Sequence, residues 1–446
     1  MSLSIALAFC ALLAQAEPVP ERPDPAAAEL LDPIEAARAL LVDAVDLPSP
    51  VERRKRAREL AKLDGFDIQH WLAAAQSFGA FEALAPGEHH DRVALWVEGK
   101  LEETELHWFV PSSYDPAQAT PVIFGLHGAG GSGRNEMLSF QSVAEELGYL
   151  VLAPTEAGAN LGYGFSERER QSAMAALRWL RRRANVDENR IHLTGVSRGG
   201  HYCFDLARFS TAWASVTPRI GGPALAIPEG RNNIRIAVNF AHLPMVILQG
   251  MGDQDKLLLN QELALERLKR AGSSARRIEY PEHGHSYDHA SFGWAAWFDA
   301  AERNPLATKL SLASARKDEG ELLWLQIDRF SKSVDEDFQP RVDPGKWNAW
   351  SHAEKARFIQ NEADERTARI DAEFLGDGKF KLTTQGVTRL RLFLPEAMLG
   401  ERGAVSAAWK GKDRKKKLKP NAQVLLEHFV EHFDRAFLPV AAWELR

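Results

Sequence analysis

Ser197 stands in Gly195-Val196-Ser197-Arg198-Gly199, a G-x-S-x-G pentapeptide. Arg190-Ile191-His192-Leu193-Thr194 before it reads as a buried strand, and residues 200–208 after it read as a helix. In that setting the serine rides a tight turn at the carboxyl edge of a sheet. Small neighbours let the backbone crowd there, and Oγ faces a substrate. A hydroxyl is a weak nucleophile near neutral pH and needs a base, usually a histidine whose tautomer a carboxylate fixes. Two later segments offer both. A strand at 246–248 opens into Gln249-Gly250-Met251-Gly252-Asp253-Gln254-Asp255, and a strand at 278–280 opens into Pro281-Glu282-His283-Gly284-His285. Asp253 is the chosen acid on its spacing from the strand end, with Asp255 as its rival. His285, just after the Gly284 turn, is the chosen base, with His283 and His289 as rivals.

An acyl transfer also needs donors for the developing oxyanion. The glycine-rich loop His127-Gly128-Ala129-Gly130-Gly131-Ser132-Gly133 follows the apolar run 121–126, and it nominates the Ala129 N–H beside the Arg198 N–H. The same loop spells G-x-G-x-x-G, with Glu156 at the end of the next strand, which is the pattern of a dinucleotide site. That alternative leaves the pentapeptide, Asp253 and His285 unexplained. The Arg198 side chain either meets an acidic substrate group or pairs with a carboxylate such as Glu156. His283-Gly284-His285 is also half of a metal-site pattern, but no matching Cys or Glu cluster accompanies it. No metal and no cofactor are expected.

The elements that must hold these residues follow from periodicity. Leu30, Leu31, Ile34, Ala37, Leu40 and Leu41 recur at helical spacing, and further helical runs contain Leu60 and Leu63, then Trp71, Leu72, Phe78 and Phe81. The basic run 53–56 reads as a solvated helix face. From Asp91 strands and helices alternate: strands at 92–97, 105–110, 121–126, 149–153, 191–196, 244–248 and 277–280, helices near 137–147, 171–183, 257–270 and 290–301. Alternation of this kind predicts an α/β sheet covered on both faces. After Asn304 the runs 322–327, 369–374, 380–382, 389–394, 405–409 and 440–444 read as strands, with Asp377-Gly378 as a hairpin signal and one helix at 424–433. A β-rich, sandwich-like C-terminal domain is expected, with the basic stretch 410–419 as an exposed hairpin tip.

At 446 residues two or three domains are expected. The boundaries read as signal peptide 1–16, linker and helical segment 17–90, catalytic domain 91–304 and β-rich domain 305–446. A net charge of -6 gives no electrostatic footprint for nucleic acid. Residues 4–13 form a short apolar core followed by Ala14-Gln15-Ala16, which predicts a signal peptide cleaved after Ala16 and a secreted or periplasmic protein without an integral membrane segment. Cleavage leaves Cys203 as the one cysteine, expected as buried packing. Composition says nothing of the oligomeric state.

The loop 126–133, the stretch 185–191 leading to Gly195–Gly200, the turn 249–253 and Gly284-His285 together resemble the α/β-hydrolase superfamily. More narrowly, they resemble its secreted polyhydroxybutyrate depolymerase and feruloyl esterase-like group and the prolyl oligopeptidase-like relatives. Residues 91–304 carry the resemblance, in which nucleophile, acid and base follow one another in this chain order. It implies a Ser197, Asp253, His285 triad working through an acyl-enzyme, without a cofactor, on a small or polymeric ester. Gln249 departs from the pattern, standing where relatives carry histidine. A peptidase and a catalytically silent binding protein remain the alternatives.

Overall fold

The computed structural model describes residues 32–156, 166–224, 232–316 and 319–446. The expected signal peptide, the proline-rich segment 17–25 and Leu30 and Leu31 lie outside the described residues.

Three helices open the described chain: α1 (Pro33–Val45), α2 (Pro50–Leu60) and α3 (Ile68–Gln76). Each start has a local cause. Asp32, Ser49 and Asp67 accept hydrogen bonds from first-turn N–H groups, and α1 and α2 place proline in the first turn, where its missing N–H has no helical partner to lose.

An eight-stranded sheet follows, built from β1 (Gly87–Val97), β2 (Lys100–Val110), β3 (Thr120–Leu126), β4 (Leu150–Thr155), β5 (Val186–Val196), β6 (Ser215–Arg219), β7 (Val246–Gly250) and β8 (Arg276–Tyr280). Its order is β1-β2-β4-β3-β5-β6-β7-β8. β2 runs antiparallel to both of its neighbours, and the remaining pairs are parallel. Helices α4 (Gly133–Leu147), α5 (Glu167–Arg183), α6 (Arg198–Phe209), α7 (Asp255–Arg270) and α8 (Trp294–Asp299) connect and flank the strands. Along β3 the side chains alternate between two cores. Val122, Phe124 and Leu126 enter one with α5 and α6, while Ile123 enters the other with Met137, Phe140 and Phe298. Two buried faces explain why β3 reads as an unbroken apolar run. The strand order, with a serine on the β5–α6 turn, is the α/β-hydrolase arrangement.

Two further sheets form the C-terminal part. One orders β10 (Glu321–Leu322), β11 (Leu325–Phe330), β14 (Val387–Leu394) and β17 (Ala441–Leu445); the other orders β16 (Lys412–Lys417), β15 (Ala404–Trp409), β13 (Lys379–Gln385), β12 (Ala368–Phe374) and β9 (Lys309–Ser314). Their inner faces share one core around Trp324, Leu382, Leu390 and Trp409, the sandwich expected from the sequence. Asp377 and Gly378, both at positive φ, turn the β12–β13 hairpin.

Several expectations need correction. The run 322–327 is not one strand but a hairpin: Leu322 pairs with Leu325 across Leu323 at φ 49°. Residues 412–417 are not a hairpin tip but an edge strand, where a row of lysines and one arginine deters edge-to-edge pairing. The helix expected over 290–301 spans only Trp294–Asp299, and β6 had no counterpart in the sequence reading. Helices α9 (Pro344–Ala349) and α10 (His352–Glu365) fall in a stretch where no element was expected.

The remaining helix, α11 (Ala422–His432), leaves the sandwich and packs Leu425, Leu426, Phe429 and Val430 against the N-terminal helices. The run 53–56 is accordingly not a plain solvated face. Arg53 is buried and donates to the Leu47 and Pro48 carbonyls, while Arg54 pairs with Glu431 of α11 at 2.9 Å. From α5, half-buried Arg178 donates to the carbonyls of Val45 and Val430, at the C-terminal ends of α1 and α11. A cation is favourable there because the last carbonyls of a helix carry partial negative charge.

Candidate active site

Ser197 occupies the N-cap position of α6 but makes no side-chain cap. Its backbone, at φ 53° and ψ -112°, lies where non-glycine residues are strained by about 1–3 kcal/mol. The strain swings Oγ away from the helix N–H groups that a capping serine would bond. The turn closes because Gly199 has no side chain: a Cβ there would lie 2.1 Å from the Leu126 carbonyl oxygen. The Ser197 N–H donates to the Arg219 carbonyl at 2.7 Å, which ties the turn to the end of β6.

Ser197 Oγ lies 2.7 Å from His285 Nε2, and His285 Nδ1 lies 2.7 Å from Asp253 Oδ2. With Nδ1–H donating to the carboxylate, Nε2 is left to accept the serine proton, the tautomer a general base needs. The two loops carrying Asp253 and His285 are themselves joined. Gly252 N–H donates to the His283 carbonyl at 2.8 Å, and a Cβ on Gly250 would lie 2.1 Å from the Gly284 oxygen. The Asp253 side chain is only 3 % exposed whereas that of His285 is half exposed.

Burial alone would raise the Asp253 carboxyl. Hydrogen bonds from His285, the Gln254 N–H and Gln249 outweigh it and hold the group below its ordinary range. The rivals are placed elsewhere. Asp255 is exposed in the first turn of α7, and His283 faces Ser286 Oγ at 3.2 Å. His289 packs against Phe140 and Trp294 and bonds the Tyr287 hydroxyl, and burial lowers it to about 4.

Gln249, the departure noted in the sequence, is fully buried and donates from Nε2 to Asp253 Oδ2 at 3.0 Å. Buried Gln261 of α7 in turn donates to Gln249 Oε1 at 2.6 Å and to the Gly221 carbonyl. A row of hydrogen bonds thus links Gln261, Gln249, Asp253, His285 and Ser197 Oγ, with the Asp253 carboxylate accepting from both sides. Sequence reasoning missed the role of both glutamines. The available signal was the position of Gln249, four residues before Asp253 at a strand end.

The glycine-rich loop lies against the elbow: a Cβ on Gly128 would be 3.6 Å from Ser197 Cβ. Buried His127, also missed, props this loop. Its Nε2 accepts from the Glu156 N–H at 3.2 Å, so Nδ1–H donates to the Gly128 carbonyl at 2.8 Å. Burial keeps the ring uncharged by lowering its pKa. Ala129 follows in that loop, and Arg198 is the first residue of α6, so its N–H belongs to the helix N-terminus beside Oγ. Its side chain is 6 % exposed, not displayed at a pocket mouth, and acts electrostatically on Glu156.

Beneath the site, the buried Arg219 guanidinium pairs with Glu136 of α4 and donates to the Tyr287 hydroxyl at 3.0 Å. Burial raises the Glu136 carboxyl to about 7 against the pull of Arg219. This ion pair and hydrogen bond therefore join β6, α4 and the loop that carries His285. Cys203 is free and buried within α6, as expected of packing.

No protein-family model matches the chain, and no curated protein matches it. Solved structures with a related fold include a thermostable esterase, 20% identical, covering 48% of this chain and 63% of that chain with a TM-score of 0.41. The acylaminoacyl peptidase of Pyrococcus horikoshii is 14% identical, covering 49% of this chain and 42% of that chain with a TM-score of 0.40. Poly(aspartic acid) hydrolase-1 from Sphingomonas sp. KT-1 is 15% identical, covering 48% of this chain and 98% of that chain with a TM-score of 0.37. Among the described residues, no helix is long and apolar enough to cross a membrane.

Proposed function

We propose that the chain is a serine hydrolase that cleaves carboxylic esters through an acyl-enzyme on Ser197. The observation that carries this reading is the pair of 2.7 Å contacts joining Ser197 Oγ to His285 and His285 to Asp253. In the first half-reaction His285 Nε2 takes the Oγ proton as Oγ bonds to the ester carbonyl carbon. The negative charge passes to the carbonyl oxygen, where the Ala129 and Arg198 N–H groups receive it. Collapse expels the alcohol, which takes the proton from His285. Water then repeats the sequence on the acyl-serine and releases the acid. The half-exposed His285 leaves the leaving-group side open to bulky or polymeric esters. The amino-terminal segment 1–16 is proposed to direct export, with the enzyme working outside the cytoplasm.

A panel of acyl esters and matched peptide amides, assayed on wild type and Ser197→Ala, tests the reading. Ester turnover that disappears in Ser197→Ala, with amide turnover at least tenfold slower, is expected. Faster cleavage of the amides would replace the esterase reading with a peptidase.

A further inference from the structure

Away from the triad, α11 and the β10–β11 hairpin border a cleft of about 410 Å³ whose lining includes Glu321, His428 and His432. His428 and His432 are four residues apart on α11 and so lie one turn apart on the same helix face. Glu321, the first residue of β10, reaches them from the facing hairpin. Its Oε1 lies 3.0 Å from His432 Nε2 and 3.9 Å from His428 Nε2, and the three ligand atoms all fall within 4.8 Å of one another.

His428 is the informative member. It is 7 % exposed, its Nδ1 has no hydrogen-bond partner among the described residues, and its Nε2 is too far from Glu321 for a hydrogen bond. Nε2, the ring nitrogen on the Glu321 side, is the atom placed to take a ligand, while Nδ1 carries the ring proton.

We propose that Glu321, His428 and His432 bind a divalent transition-metal ion of the zinc type, which clamps the C-terminal helix to the sandwich. Metal–ligand distances near 2.0–2.2 Å in a tetrahedron put ligand atoms about 3.3–3.6 Å apart. The observed 3.0 and 3.9 Å straddle that spacing, so small side-chain rotations close the site. Two imidazoles and one carboxylate suit zinc better than calcium or magnesium, which prefer oxygen. The fourth position opens on the cleft, where water completes the shell. Three arginines also line the cleft, and each has a carboxylate of its own: Arg54 with Glu431, Arg208 with Asp205 and Glu319, Arg391 with Asp328. A second group, His90, Glu105 and His107, lies on the β1–β2 hairpin with His90 and Glu105 exposed and the two rings stacked on each other. It serves as the control.

The test uses the full protein, stripped with a chelator and titrated with zinc chloride by calorimetry. Metal content after gel filtration is measured alongside. One zinc per chain is expected in wild type and in His107→Ala, and a loss of affinity of at least about 100-fold in Glu321→Gln and His432→Ala. Cobalt(II) in place of zinc should give a visible absorption band that both variants lose. Glu321→Gln alters a partly exposed carboxylate without changing its shape, so a folded protein is available even if a histidine variant misfolds. No zinc uptake by wild type at micromolar concentration overturns the proposal. So does uptake that survives Glu321→Gln and His432→Ala, or that disappears in His107→Ala.

Discussion

Ser197 sacrifices two stabilising features for its position, a relaxed backbone and a helix cap, and the gain is a hydroxyl held 2.7 Å from His285. The roles proposed for its partners make separable predictions. Asp253→Ala should lower kcat by about 10³- to 10⁴-fold, while Asp255→Ala, on an exposed helix turn, should change it less than about threefold. Equal, mild losses in steady-state assays would contradict the assignment. Gln249→Leu removes a hydrogen bond to a charged carboxylate, about 1.5–3 kcal/mol, so kcat/KM should fall by about 10- to 100-fold with the fold intact by circular dichroism. Gln261→Leu should move activity in the same direction but less. The Asp253 carboxyl is depressed in the folded protein, so its contribution to stability is present above the ordinary carboxylate range and lost as pH falls through the lowered value. In urea unfolding, the stability gap between wild type and Asp253→Asn should accordingly be widest near neutral pH and close below about pH 4. A gap that widens on acidification would contradict this sign.

At the scale of elements, the β5–α6 turn depends on absent side chains. Gly199→Ala forces a Cβ to 2.1 Å from the Leu126 oxygen, so the strand β3 or the elbow must move. The variant should lose most of its activity and several degrees of melting temperature, read by differential scanning calorimetry; unchanged activity would mean that the turn does not need its tight packing. This region was legible in sequence because its signals are local: Gly195, Ser197 and Gly199 announce the turn, and the apolar run of β3 announces two buried faces. Leu323 was not legible, because nothing in Leu322-Leu323-Trp324-Leu325 marks a turn. A leucine at φ 49° is held there by burial of Trp324 and by strand pairing. Strand β6 escaped notice because its apolar signal is thin; Ser215, Thr217 and Arg219 are buried through hydrogen bonds and an ion pair rather than by hydrophobicity. The link from Gln261 to Asp253 joins two elements through the fold and has no sequence pattern of its own.

For the whole molecule, the N-terminal helices meet a helix from the C-terminal part of the chain. Helices α1 to α3 cover the apolar face of α11, and Trp71, Phe78, Phe429 and Phe433 share that core. Sequence periodicity revealed each helix but not this partnership, since amphipathic faces do not name what they cover. Trp71→Ala, at a fully buried site, should cost about 3–5 kcal/mol in urea unfolding, and a loss below 1 kcal/mol would mean that the helical cluster is not part of the cooperative fold. All of this framework bears on one claim, that Ser197 is the nucleophile. The most direct measurement is the intact mass of the protein after treatment with a fluorophosphonate, with the adduct located by peptide mapping. A single adduct on Ser197, absent from Ser197→Ala and strongly slowed in His285→Ala, is the predicted result. A wild-type protein that stays unmodified, or an adduct on another residue, would contradict it.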